Sequence, residues 1–198
     1  SAPVISWAGR GMTTGSCCAV FAAPAPAIEY YAADSAVAAT TSVPHPYPVG
    51  GGDAFVKQAL SDWQQGTARV FCVLVDHLEA GVVGLGRVDH GAGTAEVGYW
   101  IARPFWGQGV ATRAVSHLVR YAGDNLGLTA IWASHLERNP ASGRVLAKNG
   151  FTCLGRFVTP ESYLAKFAGE PALRYCHRVT AEAQLNDPLA LVSREAAA

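Results

Sequence analysis

Two glycines set two positions apart, Gly107 and Gly109, separate a strand pattern from the start of an amphipathic helix in TAEVGYWIARPFWGQGVATRA, residues 94–114. Glycine takes away the side chain where an anion would need to come close to backbone N–H groups. Those groups stand at a helix N-terminus, where unsatisfied donors and the positive end of the helix dipole favour negative charge. The stretch therefore reads as a phosphate cradle.

Several glycine-rich motifs could explain such a cradle. A dinucleotide fingerprint needs GxGxxG, but Thr112 stands where the third glycine or alanine belongs, and the strands upstream have an antiparallel spacing. A nucleotide-triphosphate loop needs GK[ST], which occurs nowhere in the chain. Gly81, Gly84 and Gly86 mimic GxxGxG but lie inside a strand pattern with no helix behind them, and they read as close packing or a bulge in a sheet.

The elements that must hold the cradle can be read around it. A Pro/Gly-dense loop, VPHPYPVGGG from Val43 to Gly52, precedes a helical pattern with Asp53 as its expected N-cap, ending near Gly66. Strand patterns follow at Ala68 to Asp76, Gly81 to Asp89 and Ala95 to Ile101, spaced as an antiparallel meander. From Gly107, the residues Val110, Ala114, Leu118 and Tyr121 or Ala122 recur at helical spacing up to Gly127. A strand at Thr129 to Ala133 completes a βαβ unit whose two strands should be parallel neighbours. Asn139 or Pro140 opens a second helix that closes on Asn149-Gly150. Phe151 to Val158 and Ala172 to Thr180 complete the strands. Residues 1–42 show weak periodicity, with a strand near Ser16 to Ala22 and a helix from Pro26 to Ala33. The segment 181–198 reads as a peripheral tail. No repeat or second domain is visible, so one α/β domain over 1–198 is expected.

Composition narrows the partners. The 198 residues are half hydrophobic and 15% charged, with a formal net charge of zero. The charged share is well below the usual quarter or so, and no basic run marks a nucleic-acid partner. The five cysteines, Cys17, Cys18, Cys72, Cys153 and Cys176, have no zinc-like spacing. Scattered thiols of odd number suit a reducing compartment, so a cytoplasmic protein with no metal is expected. The longest apolar run, Ala19 to Ile28, contains Pro24 and Pro26 and falls well short of the ~20 residues of a membrane span.

Taken in order, AEVGYWI, FWGQGVAT and NPASGRVLAKNGF resemble the acyl-CoA-binding core of the GNAT N-acetyltransferases, and more narrowly their Rim-type (RimJ/RimL-like) branch. The likeness covers roughly Val43 to Thr180. Trp106 stands where the wider family has Gln or Arg, and the family's arginine-containing first strand is not recognisable here.

The resemblance implies a mixed, mostly antiparallel twisted sheet, flanked by helices and splayed at the acetyl-CoA site. It gives the backbone of Tyr99, Trp100 and Ile101 to the pantetheine arm. The N–H groups of Gly107, Gln108, Gly109, Val110, Ala111 and Thr112 go to the pyrophosphate. Asn139 commonly contacts the pantetheine arm in the family and is also a helix N-cap by residue type.

An acceptor amine arrives mostly protonated, because α-amines titrate near 8 and lysines near 10, roughly. By analogy Glu96 serves as general base, directly or through water; its plain alternative is a strand-end carboxylate in a structural hydrogen bond. A strand N–H near Tyr99 or Trp100 would stabilise the tetrahedral oxyanion. Ser142 matches the position of a general acid proposed for Rim-type enzymes, where many other members carry tyrosine; a first-turn capping serine is the alternative. Arg144 and Lys148 fall on the same helix's polar side. His45, Tyr47, Trp63 and His135, with Glu137, are expected near the acceptor. His77 and His90 read as turn residues.

The implied activity is direct transfer of acetyl to a primary amine, either a protein N-terminal α-amine or a small molecule, with the family's frequent homodimer as an expectation. A non-catalytic acyl-CoA-binding or sensing module is the alternative.

Overall fold

The computed structural model describes residues 4–7, 15–19, 25–162 and 165–179. The tail from 180 onward lies outside them. A sheet of eight strands takes the order β1-β2-β3-β4-β5-β6-β8-β7. The strands are β1 (Val4–Trp7), β2 (Gly15–Ala19), β3 (Arg69–Val75), β4 (Leu78–Asp89), β5 (Thr94–Ile101), β6 (Ala130–Leu136), β7 (Thr152–Val158) and β8 (Pro171–Arg178). The helices are α1 (Ala25–Ala32), α2 (Ser35–Ala38), α3 (Gly51–Gln65), α4 (Val110–Leu126) and α5 (Pro140–Lys148).

Strands β1 to β5 run antiparallel to their neighbours, β5 and β6 are parallel, and β8 pairs antiparallel with β6 and β7. The expected meander and βαβ unit are both present. The Asp76-His77 hairpin turn puts both residues at positive φ (49° and 68°), so His77 is a turn residue, and His90 bonds the Gly66 carbonyl at 3.2 Å.

Alternation along the strands supplies two cores. Phe71, Val73, Val83, Leu85, Val97 and Ile101 meet the α4 stripe Val110, Ala114, Val115, Leu118 and Ala122 on one face. Ile28, Ala59, Cys72 and Val82 pack on the other face, beside a cluster of Ala32, Val37, Ala38 and Val43, with Trp100 touching both. Each fully buried side chain of Leu or Phe size stabilises by about 1.5–3 kcal/mol, so loss of either core would unfold the sheet.

Several boundaries differ from the sequence expectation. The N-cap of α3 is Gly50 (φ 73°), and Asp53 sits inside the first turn. Glu29 on α1 supplies the cap instead, its carboxylate accepting from Gly50 N at 3.2 Å and Gly52 N at 3.0 Å. Helix α4 begins at Val110 with Gly109 as its cap. Strand β6 runs on to Leu136, three residues past the expected end. Helix α2 and strand β1 had no readable periodicity. Among the strand glycines, a Cβ on Gly81 would collide with the Trp100 carbonyl oxygen, and one on Gly84 would stand 3.2 Å from the Arg69 carbonyl oxygen. Both are therefore close-packing positions.

Candidate functional site

The parallel register between β5 and β6 consists of Thr94↔Ala130, Ala95↔Ile131 and Glu96↔Trp132, and there it ends. Beyond it Val97–Ile101 remain paired only to β4, and Ala133–Leu136 only to β8. The strands part, and the residues on both sides of the gap line an open cleft of about 1050 Å³. Glu96 stands at the point of divergence.

The glycine turn lies at the end of β5. Gly107 has φ 75° and Gly109 φ 72°, values that strain any side-chain-bearing residue. Open space surrounds the Cβ direction of Gly107, while a Cβ on Gly109 would meet Arg113 Nη1 at 3.2 Å. Trp106 Nε1 donates to the Ile101 carbonyl at 2.6 Å, and Gln108 Nε2 to Pro104 O at 2.9 Å. These bonds pin the turn while no side chain caps α4, so its first N–H groups remain available to an anion. Arg113 Nε is buried without a hydrogen-bond partner beside the turn. Free donors, positive-φ glycines and an orphaned guanidinium nitrogen together fit a polyphosphate such as that of acetyl-CoA.

Helix α5 closes the same side. Asn139 caps it, Oδ1 accepting from Ser142 N at 3.3 Å. Asn149 Nδ2 donates to Val145 O (2.9 Å) and to Thr112 O (3.1 Å), which ties the end of α5 to the first turn of α4. Arg144 and Lys148 line the cleft with exposed side chains. Alternation sends Tyr99 toward α5, where its hydroxyl lies 2.8 Å from Ser142 Oγ and 3.2 Å from Ser142 O. Burial pushes the Tyr99 phenol up to about 12, opposed by the Ser142 hydrogen bond and reinforced by Tyr175. Nothing in the local sequence announced this pair; the period-2 pattern of β5, started from Glu96, was the available signal.

Glu96, two residues from Gly98 and four from Trp100, shares the opposite face. Its Oε2 meets Arg87 Nη1 at 2.9 Å. Arg87 itself has φ 50°, within the register shift between Gly86 and Asp89. A bulge of this kind re-aims a side chain, here onto the carboxylate that pairs in register with Gly86.

The far wall of the cleft comes from distant segments. Tyr47, Thr40, Ser42 and Val43 approach from the loop after α2, Phe157 from the end of β7, and Thr159 and Phe167 from the β7–β8 connection. Lys166 Nζ donates to Ala38 O (2.9 Å) and Val43 O (2.5 Å), joining the two. Burial, then Arg138, lowers the Lys166 pKa. Arg103 Nε bonds Asp34 Oδ2 at 2.9 Å, so the segment before the glycine turn is tied to the cap of α2.

Of the five residues expected near an acceptor, the structure brings only Tyr47 to an accessible part of the lining, and Glu137 lies outside it, paired with Arg156 at 2.9 Å. His45 is exposed and outside the lining. Trp63 packs edge-on against Phe71 at 5.4 Å with Arg69 over its ring, because the last turn of α3 faces β3 rather than the cleft. His135 lies within β6 rather than after it and is only 8% exposed. Its Nδ1 bonds Leu136 O at 2.8 Å and its Nε2 the Tyr175 hydroxyl at 3.3 Å, so the ring is engaged in the core behind the cleft. Among the described residues, no three His, Cys, Asp or Glu side chains come together as a metal site.

A mixed sheet that splays around a glycine turn and helix N-terminus defines an acyl-CoA-binding architecture. The acetyltransferase (GNAT) domain family matches residues 20–152, and the chain belongs to that family, whose members use acetyl-CoA as co-substrate. It is 29% identical over 92 residues to the ribosomal-protein-serine acetyltransferase of Escherichia coli (strain K12), a match covering 46% of this chain and 51% of that protein. It is 30% identical over 103 residues to a putative ribosomal N-acetyltransferase of Bacillus subtilis (strain 168), covering 50% and 56%. The chain thus spans about half the length of the curated relatives it matches. A ribosomal L7/L12 α-N-protein acetyltransferase solved with coenzyme A superimposes with a TM-score of 0.74 at 20% identity, over 85% of this chain and 96% of that one; this is a likeness of fold.

Proposed function

We propose that the protein transfers an acetyl group from acetyl-CoA to a primary amine, and that the acceptor is a protein N-terminal α-amine or a small molecule of low charge. The observation that carries the reading is the parting of β5 and β6 immediately after Glu96, with the glycine turn at one end of the gap and Ser142 at its side.

The donor supplies an activated thioester, and the protein supplies its placement. Backbone N–H groups of residues 107–112 hold the pyrophosphate, and the free edge of β5 at Tyr99, Trp100 and Ile101 holds the pantetheine arm, with Asn139 beside it. Glu96, on the opposite face, takes the proton of the acceptor ammonium, directly or through water. Arg87 keeps that carboxylate at the point of divergence. Ser142 offers a hydrogen to the departing sulfur, and a β5 N–H faces the developing oxyanion. Donor and acceptor sides are thus the two faces of one fork.

Glu96 and Arg87 offset each other's charge, which supports a singly charged acceptor over a polyamine. Among the described residues, Cys153 and Cys176 are free thiols, in keeping with a reducing, cytoplasmic setting. Among the described residues, no helix is long and apolar enough to cross a membrane. The homodimer and the absence of a nucleic-acid partner belong to the same proposal.

Mass spectrometry of a panel of N-terminally free peptides and small amines incubated with acetyl-CoA tests the activity. An acetylated product that disappears with Glu96→Gln supports it. Tight coenzyme A binding with no product from any amine would point to a binding module instead.

A further inference from the structure

We infer that Tyr99 is a positioning residue for Ser142: its phenol donates to Ser142 Oγ and so turns the serine's own O–H into the gap between β5 and β6. The direction of this hydrogen bond follows from the contact distances together with the acidity of the two hydroxyls, whereas its catalytic consequence rests on the acetyl-transfer reading.

The two oxygens are 2.8 Å apart, and by distance either could donate. A phenol is the stronger acid and hence the stronger donor. Burial raises its pKa, so the proton stays on the phenol throughout the physiological range. Its other neighbour is the Ser142 carbonyl, an acceptor only, at 3.2 Å; the phenol's single hydrogen takes the shorter contact, Ser142 Oγ at 2.8 Å. A serine oxygen that accepts from Tyr99 must aim its own hydrogen elsewhere, and Ser142 lines the cleft.

The helix that carries Ser142 is held so that this geometry persists. Ser142 N is bound to Asn139 Oδ1 at 3.3 Å. At the next residue, a Cβ on Gly143 would lie 2.8 Å from His135 Nε2 and 3.4 Å from the Tyr175 hydroxyl oxygen. Glycine therefore lets α5 sit directly on a floor of polar groups that have their own partners. Without Tyr99, a serine hydroxyl in the first turn of a helix can fold back onto a carbonyl one turn earlier, which would remove its hydrogen from the gap. Once the amine has added to the carbonyl carbon, the chemical step asked of Ser142 is hydrogen-bond donation to the sulfur as the tetrahedral adduct re-forms its C=O and breaks the C–S bond. The electron pair of the C–S bond leaves on sulfur, and no proton is drawn from Tyr99.

The test combines Tyr99→Phe, Ser142→Ala and the double variant with a spectroscopic readout. Turnover by Y99F is expected to fall about tenfold, with KM for acetyl-CoA and coenzyme A affinity within about twofold of the parent. In the S142A background the same change is expected to cost nothing further. By NMR, the ¹³C-labelled Tyr99 ring Cζ should move upfield in S142A, the sign expected when a phenol loses an acceptor for its hydrogen, whereas a phenol that had been accepting would move downfield; the measurement needs neither turnover nor the Y99F protein. Parent-like turnover in Y99F, an equal loss in both backgrounds, or a Tyr99 signal that is indifferent to S142A or moves downfield would each overturn the inference. If the parent acetylates no amine while S142A still moves the Tyr99 signal upfield, the transfer reading falls and the hydrogen-bond assignment stands.

Discussion

On the donor side of the fork the glycine turn and the α5 cap are assembled from neighbours in sequence, and the longest ties are Tyr99 to Ser142 across 43 residues and Asn149 to Thr112 across 37. Trp106 reaches Ile101, Gln108 reaches Pro104, and Asn139 reaches Ser142, while two left-handed glycines shape the turn between them. On the proposed acceptor side Lys166 joins carbonyls 128 and 123 residues away, and Arg103 reaches Asp34 across 69. A local device is specified by backbone conformation and tolerates few residue types. A long-range device closes only after the whole sheet has formed, and rests on single side chains. On the proposed reading the donor binder is therefore the fixed part of the molecule, and the acceptor wall is where specificity can change by one or two substitutions.

The largest effect is expected where the two sides meet. Glu96→Gln keeps the shape but removes the proposed base and should lower kcat by about 100-fold or more, with coenzyme A affinity, read by calorimetry, unchanged. Gly109→Ala attacks the donor side alone. A left-handed Ala costs roughly 1–2 kcal/mol, and its Cβ would press on Arg113 Nη1, so donor affinity should drop about tenfold while the acceptor KM holds. Equal damage to both constants would break the division between the sides.

Lys166→Met opens the acceptor wall. The KM of the best acceptor should rise several-fold without change in donor affinity, and thermal unfolding should show a loss of about 1–2 kcal/mol for the ammonium hydrogen bonds. The smallest effect lies away from the fork. Burial, helped by Arg120, pulls His117 down to about 4 from 6.5. The folded state therefore binds fewer protons than the unfolded chain between those values, and the stability contributed above 6.5 is lost as pH falls through the window. His117 is partly exposed, so the loss should be about 1 kcal/mol or less. Chemical denaturation at pH 7 and pH 4.5, with and without His117→Gln, measures it.

The same contrast explains what the sequence revealed. Gly107, Gly109, Asn139 and the alternation of β5 carry their structural meaning within a few residues, so the turn, the α5 cap and the strand holding Glu96 were legible. His135 was placed after a strand because the β6 pattern fades at Ser134, yet pairing with β8 continues to Leu136. Trp63 is an amphipathic-helix residue whose face is decided by packing on Phe71, which no local window shows. Lys166 carried no signal, since the carbonyls it reaches lie more than a hundred residues distant. Helix α2 is too short for periodicity; its cap Asp34 bonds Ala36 N, a motif recognisable only once the helix is known.

The three residue pairs joining β5 to β6 have a mechanical meaning. On either side, β4 with β5 and β6 with β8 each share seven pairs, so two stiff plates meet along a narrow seam. A molecule lying across the open part of that seam, bonded to both strand edges, supplies the missing rungs. It acts as a rivet, so filling the cleft and bracing the whole sheet become a single event.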